Sequence, residues 1–174
     1  MKFTKMHGIG NDYIYVNTLD EFVADPPALA VAMSRPHFGV GADGLVLIGA
    51  SDTADFDMRM FNADGSEGEM CGNAVRCIAK YVYERGLTQK TTLTLATKAG
   101  IKTLDLRIDA GQVTQVRVDM GKPMLAPAAI PVDLPGERVI DQPIAIGGQT
   151  WRMSCVSMGN PHAVIFVDDP STFD

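Results

Sequence analysis

An α+β fold dominated by antiparallel strands follows from three features of this 174-residue chain. Short apolar or alternating segments recur along it. One segment has the length and periodicity of a buried helix. Compact Gly-containing turns join neighbouring strand patterns closely enough for hairpins. A wound parallel sheet would need helical patterns between most of the strands instead.

The elements can be justified in order. Residues 13–17, Tyr-Ile-Tyr-Val-Asn, are aromatic and β-branched and read as a strand. Pro26 and Pro27 precede residues 28–33, and proline suits a first helical turn. Residues 45–48 form a short apolar run ending at Gly49. Phe56, Met58 and Met60 alternate with Asp57 and Arg59, the period of a half-buried strand. Residues 63–66, Ala-Asp-Gly-Ser, read as a turn. Residues 71–85 carry Ala74, Val75, Ile78 and Val82 on one face, with Gly86 placed as a C-terminal cap. So apolar a helix should be buried, inside or against a sheet. Strands follow at 91–96, 101–108 and 112–119, the last two joined by Asp-Ala-Gly. Residues 144–146 and 150–157 flank Gly147-Gly148 as a further hairpin. Pro123, Pro127, Pro131 and Pro135 break the pattern between 121 and 141, which reads as a linker. Gly10-Asn11 and Gly159-Asn160 each feed an apolar strand, a faint internal echo.

Composition narrows the function. The net charge is −6, so there is no basic excess to neutralise a phosphate backbone, and nucleic-acid binding is excluded as a first reading. Apolar residues make up 46% and charged residues 21%, which sets the chain apart from disordered sequences. No apolar run approaches the ~20 residues needed to cross a bilayer. The first residues lack the apolar stretch of a secretory signal. Three cysteines are too few and oddly numbered for a disulfide scaffold, so thiols in a reducing cytoplasm are expected.

The richest chemistry lies in residues 61–77. Cys71 falls between a turn-rich loop and the buried helix. A helix N-terminus offers partial positive charge and unpaired N–H groups, which favour a thiolate. The N–H groups of Gly72 and Asn73 offer a cradle for a ligand carboxylate. A base and an anion site thus fall together. The alternative is a buried structural cysteine with Asn73 as a capping residue. Cys77, six positions on, should point away from Cys71 into the core, and Cys155 reads as core in a strand. Asn11, Asn62, Asn73 and Asn160 stand in expected loops, where amides either bind an amino acid's charged groups or stabilise turns. Ser66 and Glu69 have the spacing of a capping box. No Cys-x-x-Cys or His-x-x-x-His spacing occurs, so no metal site is assigned.

These motifs resemble the diaminopimelate epimerase family. The carriers are residues 3–13 (Phe-Thr-Lys-Met-His-Gly-Ile-Gly-Asn-Asp-Tyr), 39–44 (Gly-Val-Gly-Ala-Asp-Gly), 61–67 with 70–73 (Met-Cys-Gly-Asn), and 159–162 (Gly-Asn-Pro-His). The resemblance spans nearly the whole chain. It implies two lobes, each a curved, mostly antiparallel sheet or barrel wrapped around a central helix. Residues 1–119 would be the first lobe, and 120–174 a linker and the opening strands of the second. It implies conversion of LL-diaminopimelate to the meso isomer without cofactor or metal, by two cysteines facing the α-carbon from opposite sides. Cys71 would be the base toward the LL isomer. Asn11, Asn62 and Asn160 would contact substrate, Gly72 and Asn73 would bind it through the helix N-terminus, and His162 would set the cysteine charge states. The second-lobe Cys-Gly-Thr signature does not occur in these residues. Gly44 stands where some members carry a substrate-contacting Gln, and it has no side chain to offer. The partner implied is a small molecule, with no nucleic acid and no membrane, and the whole protein would be a homodimer. Three alternatives stay open: a related racemase or isomerase of the same fold acting on another amino acid, a cysteine-nucleophile hydrolase using His162, and an inactive fragment of the epimerase that keeps the fold, since only one of the two cysteines is expected in these residues.

Overall fold

The computed structural model describes residues 1–172. By Cα packing the chain divides into two compact units, Met1–Met120 and Gly121–Asp174.

The first unit is a curled sheet with two helices. Its strands are β1 (Thr4–Gly8), β2 (Asn11–Asn17), β3 (Gly44–Gly49), β4 (Phe56–Asn62), the two-residue β5 (Glu67–Gly68), β6 (Thr92–Ala96), β7 (Lys102–Asp109) and β8 (Gln112–Val118). Helix α1 is Pro26–Ser34 and helix α2 is Gly72–Glu84. The sheet runs β1-β2-β3-β4-β6-β7-β8, with β5 paired to β4. Most pairs are antiparallel, as expected. Two are parallel, β2 with β3 and β4 with β6. Each of these pairs is joined through a helix, which gives the chain the length to return in the same direction.

The sheet's central strands are buried on both faces, and their alternation separates two cores. Tyr13, Tyr15, Val46, Ile48, Met58 and Met60 face one way and pack with Val75, Ile78, Ala79 and Val82 of α2. Ile14, Val16, Leu45, Leu47 and Phe61 face the other way and pack with Ala30 of α1. Strands covered on both sides read as continuous apolar runs, which is why residues 13–16 and 45–48 alternate so poorly in sequence. Helix α2 packs against β1 and β2 and also against β7 and β8. One helix touching both ends of a seven-strand path requires the sheet to curl around it.

Helix α2 starts where its apolar face starts and stops at a Schellman turn. Gly86, at φ +72°, donates to the Tyr83 carbonyl at 3.0 Å, and Leu87 donates to the Val82 carbonyl at 2.9 Å. Burying Val75, Ile78 and Val82 contributes about 1.5–3 kcal/mol each. Helix α1 is capped by Asp25, whose side chain accepts from the Ala28 N–H at 3.1 Å. The β7–β8 hairpin turns through Ala110 and Gly111, both at positive φ, as a two-residue loop requires. The β1–β2 hairpin does the same through Ile9 and Gly10. A β-branched residue at φ +49° is uncommon there.

The second unit is a three-stranded antiparallel sheet in the order β11-β10-β9. These strands are β9 (Gln142–Ile146), β10 (Gln149–Ser157) and β11 (Pro161–Ile165), and short 3₁₀ turns lie at Pro127–Ala129 and Pro170–Thr172. Its core gathers Ile130, Val139, Met153 and Cys155. The proline-broken segment before β9 therefore supplies two of the four buried core residues. No helix among the described residues is long and apolar enough to cross a membrane.

Candidate active site

Cys71 is the residue before the first helical residue of α2. Its backbone is extended (φ −134°, ψ 116°), and its carbonyl accepts the first helical hydrogen bond, from Val75 N–H at 2.9 Å. It is a half-buried free thiol, whereas Cys77 and Cys155 are buried. Its side chain does not cap the helix. An α-helix leaves its first N–H groups without intrahelical partners, and here they begin at Gly72. A Cβ added to Gly72 would meet only the side chain of Met120, at 3.7 Å, so the backbone is open to close approach.

The Cys71 thiol donates to Asn11 Oδ1 at 3.3 Å. The same oxygen accepts from Asn73 Nδ2 at 3.3 Å. Asn11 Nδ2 donates to Asp43 Oδ2 at 2.6 Å, and Arg76 donates to Asn73 Oδ1 at 2.6 Å. A polar chain therefore runs Asp43, Asn11, then Cys71 and Asn73, then Arg76. Asn11 reaches it because β2 begins at that residue, directly after the tight β1–β2 turn. Gly8, its partner across that turn, allows the close packing. A Cβ at position 8 would lie 2.9 Å from Asn73 Cβ and 3.0 Å from an Arg76 guanidinium nitrogen.

Three of the expected site residues, Asn11, Cys71 and Asn73, are thus in direct contact, with Gly72 on the same helical turn. Asn62, the last residue of β4, spends its amide on Ser66 Oγ at 2.9 Å and makes no hydrogen bond to Cys71. Its neighbour Ala63 donates to the Asp43 carbonyl at 2.9 Å, which ties this turn to the same loop. Asn160 lies in the β10–β11 turn and His162 on β11 opposite Val156, both exposed within the second unit. Gly44 offers no contact and has no room for one: a Cβ there would lie 2.1 Å from the Phe61 carbonyl oxygen.

The capping box expected at Ser66 and Glu69 does not form. Ser66 turns back to Asp64 and Asn62, and α2 begins only at Gly72. A loop and the short β5 separate Ser66 from the helix, so the spacing has no helix end to act on.

The sequence assigns no role to three residues at the site, although Asp43 and Tyr13 lie in the motifs at 39–44 and 3–13 that carry the family resemblance. Asp43 sits in the glycine-rich stretch 39–44, which carries the family resemblance without singling out a side chain. Tyr13 reads as a core strand residue. Burial, and then the charge that Cys71 would carry, push its phenol above the usual tyrosine range. Arg76 reads as a polar position on a mostly apolar helix. Burial likewise pushes the Cys77 thiol up, against smaller opposing effects of the Tyr15 hydroxyl and Arg76. Chemically, the arrangement offers a half-exposed sulfur, an amide acceptor beside it, and helix-end donors on the same turn.

Comparison with known proteins gives the family. Residues 3–126 match the family model described as diaminopimelate epimerase. The chain is 57% identical to a diaminopimelate epimerase of Agathobacter rectalis, covering all of this chain and 64% of that protein. It is 54% identical to one of Acetivibrio thermocellus, covering 99% and 62%. The chain thus spans just under two thirds of the length of these relatives. Among solved structures, a hydroxyproline epimerase from Agrobacterium vitis matches with a TM-score of 0.72 at 14% identity, over 97% of this chain and 54% of that one. A phenazine biosynthesis protein from Bacillus anthracis matches with a TM-score of 0.60 at 19% identity, over 94% and 53%. At such identities these likenesses concern the fold, while the family match rests on sequence over most of the chain: this protein belongs to the diaminopimelate epimerase family.

Proposed function

We propose that the protein carrying this chain interconverts LL- and meso-diaminopimelate by two-base proton transfer, with Cys71 as one of the two groups. The observation that carries the reading is the half-exposed thiol at the start of α2, bonded to Asn11 and adjacent to the helix-end N–H groups. As a thiolate, Cys71 takes the α-proton of the LL isomer and becomes the thiol. The electron pair left on the α-carbon then accepts a proton from a second acid on the opposite face. In the reverse direction Cys71 starts as the thiol and gives its proton back. Donors from the α2 N-terminus hold the substrate carboxylate, where negative charge builds, and preorganised donors of this kind contribute several kcal/mol. Cys77 and Cys155 are buried, so neither is offered as the second acid.

In this reading Asn11, Asn62, Gly72, Asn73 and Asn160 bind substrate, and His162 adjusts the cysteine charge states. Residues 1–119 form a first lobe, and residues 120–174 are a linker and the opening strands of a second. The division of the chain at Met120 and its partial coverage of its relatives support the lobe assignment. The reading uses no cofactor and places the protein in the cytoplasm as a homodimer. The test is α-proton exchange in deuterated water, followed by NMR on the complete protein with diaminopimelate, proline and hydroxyproline. Exchange and inversion confined to diaminopimelate are expected. Preference for either of the other two would replace the substrate, and exchange with none would remove the activity.

A further inference from the structure

Asp43 makes two side-chain contacts that converge on one oxygen. Asn11 Nδ2 donates to Asp43 Oδ2 at 2.6 Å, and the Asp12 N–H donates to the same atom at 3.1 Å. Its backbone is fixed as well, by Asp43 N–H to the Asp12 carbonyl and by Ala63 N–H to the Asp43 carbonyl, both at 2.9 Å. Asp12 is itself held by Lys5 at 2.8 Å, and Lys5 also donates to the Gly41 carbonyl. One carboxylate oxygen is therefore held twice, and the backbone that carries it is tied to Asp12 and to Ala63.

A carboxylate only accepts, whereas an amide has one accepting and one donating end. We propose that Asp43 is a positioning residue: it holds the Asn11 amide with its NH2 group toward Asp43 and its carbonyl oxygen toward Cys71 and Asn73. That oxygen accepts the Cys71 S–H and offers nothing to a thiolate. It opposes the helix N-terminus, whose N–H groups favour the thiolate. Resting on the two-base reading, the opposition has a use. Cys71 must begin as thiolate in one direction and as thiol in the other, and a site stabilising only one form would be slow in one direction. Among the described residues of the first unit, the titratable groups that interact electrostatically with Cys71 are Tyr13 and Tyr15 from β2 and Cys77 from α2, with Asp43 reached through Asn11 and Arg76 through Asn73.

The test is the pH dependence of Cys71 alkylation by iodoacetamide in the complete protein, read by peptide mass spectrometry. Asp43→Asn lets position 43 donate as well as accept, so Asn11 can turn its NH2 toward the sulfur once Asn73, whose NH2 meets the same oxygen, turns with it. The half-maximal pH is expected to fall by about one unit, because a donor then faces the thiolate. Asp43→Glu keeps an acceptor-only partner and should stay near the parent profile. A merely structural role would lower the melting temperature of both variants and leave both profiles in place, and that result overturns the proposal. If Asp43→Asn does not fold, the parent protein decides by NMR. The Asn11 side-chain NH2 and the Asp12 N–H converge on one oxygen, so a nuclear Overhauser effect between them is expected, and its absence overturns the proposal. Failure of α-proton exchange would remove the epimerase reading and leave these measurements standing. An unchanged alkylation profile in a fully active protein would remove the role of Asp43 alone.

Discussion

The first turn of α2 and the rest of that helix are built from the same stretch of chain to opposite ends. Beyond the first turn, Val75, Ile78, Ala79 and Val82 are essentially inaccessible and join β1, β2, β7 and β8 into one core. At the start, Cys71, Gly72 and Asn73 are half-exposed, and the sulfur and the Asn73 amide meet another strand through hydrogen bonds. The two cysteines mark the difference. Cys71 is half-buried with a polar partner, and Cys77, less than two turns along, is 6% exposed and held neutral by burial. A helix sunk into a sheet is anchored by its body, so its N-terminal donors can be presented without moving. In the proposed two-base reading, the rigidity that preorganised charge stabilisation needs comes from these buried residues of the helix body.

Substitutions on either side of this division should have separable effects. The largest is expected at the helix start. Cys71→Ala in the complete protein should lower turnover by at least about a thousandfold, the scale of a lost acid–base group, with the melting temperature nearly unchanged. Coupled epimerase assays and thermal melts measure the two sides. Substantial turnover by this variant would mean that another group takes the proton. Ile78→Ala, in the body, should do the reverse. The side chain is 1% exposed, so truncation should cost about 2–5 kcal/mol in denaturant unfolding while the activity per folded molecule is kept.

The body was far easier to read in the sequence than the start. Ala74, Val75, Ile78 and Val82 repeat at helical spacing, and Gly86 marks the end, so expected bounds of 71–85 lie within one residue of Gly72–Glu84. The hairpins at Ala110-Gly111 and Gly147-Gly148 were legible because two-residue turns demand such residues locally. The parallel pairings of β2 with β3 and β4 with β6 were not, because they join strands that a helix and loops separate in the chain. β1 was legible only through the family resemblance, since Thr4–Gly8 is polar and half-exposed. The site divides in the same way. Cys71 and the asparagines stood out by residue type and by family motif. Asp43 and Tyr13 lie in the same motifs but drew no role from them, because their place at the site depends on what the folded chain sets beside them. The Ser66 and Glu69 spacing misled because a spacing rule contains no information about where the helix begins.

Gly8 couples the two regions and should give an intermediate effect. Alanine there would bring a Cβ within 2.9 Å of Asn73 Cβ, so β1 or the first turn of α2 must shift. A cost of about 1–3 kcal/mol is expected. Displacing Asn73 also disturbs the shared contact with Asn11, and turnover should fall about 10- to 100-fold. Loss of stability with unchanged kinetics would show that the helix start tolerates movement, and that its placement matters less than the contacts suggest.

The smallest effect concerns Cys77 and appears only at alkaline pH. Burial raises its thiol above the ordinary value, so the folded protein keeps this proton longer than the unfolded chain does. Below the unfolded-state value, about 8.5, both forms are protonated and the contribution of the buried thiol is fully present. As pH rises past that point, the unfolded chain releases the proton first. It then binds fewer protons than the native state, and stability falls with pH. Tyr13 and Tyr15, also raised by burial, add the same sign of dependence at higher pH, above about 10. Cys77→Ala removes the thiol and should flatten the decline between about pH 8.5 and 10, leaving the steeper loss beyond it. Urea midpoints of the parent and Cys77→Ala at several pH values measure this. Two curves that stay parallel across that window would show that the Cys77 thiol ionises as readily folded as unfolded. The contrast between a buried thiol in the helix body and a half-exposed one at its start would then not extend to their protons.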